Sequence, residues 1–272
     1  MAELARPSRR VVQTELERFV TDNRTLVAFV FPAVGAVALV ASAESLLPPP
    51  LAFNPYLVLF GTFVMRLPLL VGLAPVTTRR AAAGVLGIVA YAYAVESVGV
   101  HTGVPYGEFA YGVDLGPMVA GVPLGLPLFF VPLVFDAYLL TLLALGRRAG
   151  ARHRRVPVAV GAVLLVDAVL DPGAVSLGFW TYAAPGAFYG VPLSNFAGWL
   201  LSATVAVLVV DGTFDRVAME RRLRTCPFVL DDAVSFVVLW GAVNGYYGNW
   251  LPVGVALALL AGLRSAGRVE FR

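Results

Sequence analysis

Long apolar stretches, each about 18 to 24 residues and broken by short polar links, recur along this chain from about residue 25 onward. Wound as a helix, such a run crosses a hydrocarbon layer roughly 30 Å thick. No period-2 alternation accompanies the runs, so helices, which satisfy their own backbone groups in lipid, are the form they predict. Eight spans follow, at about 25–47, 53–73, 82–99, 118–145, 156–175, 195–210, 227–244 and 250–263. Pro48, Pro49 and Pro50 stop the first, while Pro123, Pro127 and Pro132 predict a kinked or partly unwound start to the fourth. Ahead of the spans, Val11, Val12, Leu16, Phe19 and Val20 fall at roughly helical spacing among Arg and Glu. That pattern predicts an amphipathic helix lying on the membrane surface. The expected fold is all-α, a polytopic membrane helical bundle. Its organisation is an amphipathic segment over 1–24, a single membrane domain over 25–264 and a short cytoplasmic tail over 265–272.

Charge placement sharpens the topology. The 20 basic residues are all Arg, and every one except Arg66 lies at a terminus or in the links after spans two, four and six. The other links, around Pro49, Tyr106, Tyr182 and Tyr247, contain none. Basic residues concentrate in cytoplasmic loops. Both termini are therefore predicted to be cytoplasmic, in a multi-pass protein of the cell membrane. The N-terminal 25 or so residues are too long and too rich in Glu for a cleaved signal peptide.

Composition narrows the chemistry. At 59% hydrophobic, 14% charged and a mean hydropathy of +0.80, the chain is no soluble domain, which carries about 25% charged residues. The pI near 9.2 is a consequence of topology and gives no reason to expect nucleic acid. The absence of Lys excludes a retinal Schiff base or other imine chemistry. A lone Cys226 excludes an internal disulfide or a cysteine metal cluster. With only His101 and His153, a multi-histidine iron or haem site is excluded as well.

What remains is acid chemistry. Asp167 and Asp171 stand four residues apart on a helix expected to end at Pro172. That spacing puts them on one face, within about 6 Å at Cβ. Neither has an Arg nearby in sequence, and one acidic side chain near a bilayer centre costs at least about 2.5–3.5 kcal/mol. They head the candidate catalytic set, with Glu96 and Asp136. Arg66 is either a counter-ion for Asp136 or Asp167 or a ligand for substrate. Trp180, Tyr182, Tyr189 and Trp199 fit an interfacial aromatic belt or ring faces turned to a cation; with Tyr111, Asn195 and Arg66 they form the candidate substrate-binding set. Asp231 and Asp232 read as an acidic pair at a helix N-terminus, Glu44 as solvated, and His101 as a loop residue.

A short internal echo links two of these regions. Glu96 is followed by an aromatic and glycine loop containing Gly107 to Gly112, then Gly121, Val122, Pro123 and Leu124. Asp171 is followed by Gly186 to Gly190, then Val191, Pro192 and Leu193. Two copies of a helix, loop, helix unit predict a pseudo-symmetric pocket on the non-cytoplasmic side.

Glu96, the run Tyr106 to Gly112, Gly121 to Leu124, Asp167, Asp171-Pro172, Trp180 with Tyr182, and above all the run Gly190 to Trp199 resemble the CruF-type carotenoid hydratases. The similarity extends from about Phe31 to Leu263, and is greatest to the archaeal branch. It implies addition of water across the terminal double bonds of a C50 carotenoid, as in conversion of bisanhydrobacterioruberin to bacterioruberin. It implies as partners a carotenoid substrate, the lipid bilayer and other carotenoid-pathway membrane enzymes. No cofactor or metal is called for. The residues fit that reaction: Asp171 or Asp167 gives a proton to the alkene, and the remaining carboxylate takes one from the attacking water. Two other classes stay open on the residues alone, a proton-coupled secondary transporter and a non-catalytic carotenoid-binding membrane protein. A membrane prenyltransferase would need paired Asp-rich motifs for diphosphate, which are missing.

Overall fold

The computed structural model describes residues 8–269. Helix α1 (Arg9–Asp22) starts at Ser8, whose hydroxyl accepts from Val11 N at 3.4 Å. Val11, Val12, Leu16 and Phe19 stay exposed on it while Val20 is buried. Polar bonds tie it down: Gln13 Nε2 donates to Val71 O at 3.0 Å and Glu17 pairs with Arg222 at 2.9 Å. A helix thus forms over 9–22, within the segment expected to be amphipathic. Residues 1–7 of that segment, and 270–272 of the expected tail, lie outside the described residues.

Six helical stretches among the described residues are long and apolar enough to cross a membrane. The first runs Leu26–Ala43, a π turn leading into α2 (Phe31–Ala43). There follow α3 (Pro55–Leu73), α4 (Arg79–Thr102), α5 (Leu126–Leu145), α6 (Arg152–Leu177) and α7 (Leu193–Thr213). Basic α8 (Arg216–Thr225) links α7 to α9 (Asp231–Tyr247) and α10 (Trp250–Ser265). The seventh and eighth expected spans are thus helices of 17 and 16 residues. At about 1.5 Å per residue they reach about 25 Å, at the lower end of the lengths that span a bilayer. Helix α9 makes up for length by position, since it packs against α2, α3, α6 and α10 at the centre of the bundle.

Three boundaries differ from those the sequence predicts. Span four does not begin at Met118. Residues β2 (Met118–Val119) and β3 (Val122–Pro123) form a hairpin instead, and α5 starts at Leu126. Pro117 and Pro123 lack the N–H a helix needs, which leaves the segment to a turn. Helix α4 continues to Thr102, so His101 is helical, and its end is set by Gly103 in the left-handed region. Helix α6 does not end at Pro172 but runs through it to Leu177. A mid-helix proline survives in a membrane bundle when neighbours supply donors near the interrupted turn. Here Asn244 Nδ2 donates to Val169 O at 2.7 Å, next to the Ala168 carbonyl that Pro172 leaves without its helical donor, and α5, α7 and α9 pack along α6.

One further sheet matters for the site. Strand β1 (Phe109–Tyr111), from the link between α4 and α5, pairs antiparallel with β4 (Trp180–Tyr182), from the link between α6 and α7. It lies at the end of the bundle away from the Arg-rich links.

Candidate active site

Residues two apart on a strand face the same way. Along β1 this puts Phe109 and Tyr111 on one face, and along β4 Trp180 and Tyr182, while Ala110 and Thr181 are exposed. The register sets Phe109 opposite Tyr182 and Tyr111 opposite Trp180. The four rings roof a cavity of about 130 Å³ whose walls come from α4, α5, α6, α7 and α9. The two loops of the internal echo thus meet as one ribbon over one pocket.

Each half also brings an acid. Glu96 stands on α4 about two turns before its glycine cap, and Asp171 on α6 about two turns before the Gly178 cap. Both line the cavity. Tyr111 donates its hydroxyl to Glu96 Oε1 at 2.6 Å, so the roof orients the first acid. Asn195, in the first turn of α7, donates its amide to Asp171 Oδ2. Asp167 lies one turn behind Asp171, fully buried. Among the described residues neither of its oxygens meets a donor, and the Asp171 carboxyl one turn away is the group that acts on it. A bare buried carboxylate is costly, so this arrangement suits two carboxyls sharing one proton.

Among the described residues no basic side chain lines the cavity, and its remaining walls are apolar or aromatic. Trp199 packs on Phe130 with ring centroids 5.6 Å apart, and Trp240 on Phe179 at 6.4 Å. Gly173 lets α9 approach: a Cβ there would come within 2.9 Å of Trp240 Cε3. In the roof, burial first and then Asp171, Asp167 and Glu96 hold the Tyr182 phenol well above its ordinary range, so it stays protonated as a donor. Burial and Glu96 do the same for Tyr111. Such a site can press a proton on an apolar ligand, surround the resulting cation with ring faces and hold a water between acids.

Of the residues singled out from sequence, Asp171, Glu96, Tyr111, Trp180, Tyr182, Asn195 and Trp199 line this cavity, with Asp167 immediately behind. Three do not. Tyr189 lies outside it, its hydroxyl accepting from Leu251 N at 3.2 Å at the start of α10. Arg66 takes neither Asp136 nor Asp167 as its ion partner but Asp232. Asp136 sits beside that pair, on a separate small cavity. Asp231 and Asp232 do occupy the first turn of α9, but each also binds an arginine, Asp231 taking Arg24 at 2.7 Å. Sequence reasoning passed over Phe129, Phe130, Phe179 and Trp240. The alternation of aromatics at 109 and 111 and again at 180 and 182 was a readable sign of the ribbon. Phe129, Phe130 and Trp240 sit in apolar helical runs that carry no such sign, and Phe179 in the bend just ahead of β4. Among the described residues no three of His, Cys, Asp and Glu converge as metal ligands.

Residues 53–263 match a family described as carotenoid biosynthesis protein. A bisanhydrobacterioruberin hydratase of Haloarcula japonica is 60% identical over 258 residues, covering 94% of this chain and 88% of the relative. No solved structure matches.

Proposed function

Because the chain belongs to the carotenoid biosynthesis protein family, we propose that it is a carotenoid hydratase, a hydro-lyase acting on the terminal double bonds of a C50 carotenoid. A relative is named as a bisanhydrobacterioruberin hydratase, which supports that compound as the substrate, with bacterioruberin as the product. The observation that carries this reading is the meeting of Glu96 and Asp171, one from each half of the internal echo, in a single aromatic cavity with no basic residue among the described residues of its walls.

The chemistry runs in two steps. The alkene π pair takes the proton shared by Asp167 and Asp171, forming a C–H bond and leaving a tertiary cation. Ring faces of Trp180, Tyr182 and Trp199 stabilise that cation. A water lone pair then forms the C–O bond, and the oxonium proton passes to the Glu96 carboxylate held by Tyr111. Transfer of that proton back across the cavity restores the starting state, so the sum is one water added per end. Asn195 keeps Asp171 aimed at the cavity throughout. The polyene body remains in lipid while its end occupies the pocket.

In this reading the chain crosses the cell membrane eight times, α9 and α10 included, with both termini in the cytoplasm and the pocket in the outer half. Other carotenoid-pathway membrane enzymes would supply its substrate. Expression in a host that makes only the anhydro precursor tests the proposal. A pigment gaining the mass of one water per end supports it. Unaltered pigment, whether bound or redistributed, would overturn it in favour of a scaffold or a transporter.

A further inference from the structure

A second buried acid cluster lies outside the cavity. Asp136 of α5, Asp232 of α9 and Arg66 of α3 are 2%, 0% and 3% exposed. Arg66 donates through Nη1 to Asp232 Oδ1 and through Nε to Leu128 O at 3.1 Å. Among the described residues Asp232 Oδ2 and both oxygens of Asp136 meet no donor, and the two carboxyls act on each other where Asp136 shares a small cavity with Ala233, the residue after Asp232.

The charges do not balance as two carboxylates against one guanidinium. Nothing else near Asp136 can correct this. It faces a cavity of about 10 Å³, room for one water at most, and a water there needs at least two polar partners. The other walls are apolar: Leu140 of α5, Val166 of α6, Phe236 of α9, and Leu259 and Leu263 of α10. Among the described residues, the charged groups that act on Asp136 are Arg66 and Asp232.

We propose that Asp136 is a proton-binding site, its bound proton shared with Asp232 Oδ2 in a sealed carboxyl pair whose other end is held by Arg66. The Asp136 hydroxyl then donates to Asp232 Oδ2, Arg66 neutralises the one remaining negative charge, and α3, α5 and α9 are clasped by a cluster of zero net charge. This assignment does not depend on the hydratase reading.

Infrared spectroscopy of the full chain in lipid nanodiscs, with carbon-13 in the aspartate carboxyls, tests it. A protonated carboxyl has a carbonyl stretch separate from the carboxylate and amide bands. Asp136→Asn should fold, melt close to the wild type and lack one component of that absorption, because its amide replaces the hydroxyl as donor to Asp232. Asp232→Asn frees Arg66 to pair with an ionised Asp136, so the same component should vanish by a second route. Asp167→Asn should leave that component in place. Undiminished absorption at that position in both Asp136→Asn and Asp232→Asn would overturn the proposal, and so would a collapse of the melting temperature in Asp136→Asn.

Discussion

Two groups of buried acids occupy the same bundle under different terms. Glu96, Asp167 and Asp171 have a tyrosine and an asparagine for company and open on a cavity. Asp136 and Asp232 have Arg66 and are sealed among apolar side chains. A third acid shows the ordinary solution: Asp211, near the Arg-rich end, accepts from Tyr138 at 2.8 Å, Arg152 at 2.8 Å and Arg155 at 2.6 Å. An arginine beside a carboxylate fixes its charge and commits it to structure. Its absence beside Asp167 and Asp171, in a place where bare charge is costly, leaves a proton that can be given away. The contrast teaches that in lipid the counter-ion, more than the acid, separates a clasp from a catalyst.

If that distinction holds, substitutions in the two groups should fail differently. Asp171→Asn and Asp167→Asn should each lower hydration by about 10²–10⁴-fold, the usual weight of general acid catalysis, while membrane-inserted protein is retained. Pigment extracts would show the anhydro precursor accumulating, and full hydration by both variants would take the pair out of the mechanism. Arg66→Leu should instead cost about 3–5 kcal/mol of stability, as expected when one partner of a buried ion pair is removed. Thermal unfolding in detergent reads this, and an unchanged melting temperature would break the comparison from the structural side. Next in size, Glu96→Gln should slow turnover by about 10²-fold by removing the acceptor for the water proton, with substrate affinity held. A change confined to KM would assign Glu96 to binding. The smallest effect belongs to Tyr111→Phe, roughly tenfold on the rate, for loss of one hydrogen bond to a charged group. A rate unchanged by that substitution would mean Glu96 needs no orientation from the roof.

Much of the working site could be read in the chain because its signals are local. Asp167 and Asp171 share a helix face by spacing alone, and the echo around Glu96 and Asp171 anticipates two acids reaching one pocket. The apolar ring walls were not legible, since Phe129, Phe130 and Trp240 stand in stretches where almost every residue is hydrophobic. Their facing depends on which neighbour each helix meets. The run through Pro172 is of the same kind: the proline by itself favours a stop, and the packing of α6 against α5, α7 and α9 holds the helix through it.

Membrane residence, the positions of the apolar helices, the charge asymmetry of the links and the shortage of cations near Asp167 are properties of contiguous sequence, because hydropathy and helical spacing act over a few turns. Which acid belongs to which arginine is not. Arg66 and Asp232 are 166 positions apart, and only the packing of α3 and α5 against the central α9 brings them together. That packing withdraws Arg66 and Asp136 from the cavity, and by the same act leaves Asp171 on its wall, and Asp167 behind it, without a counter-ion.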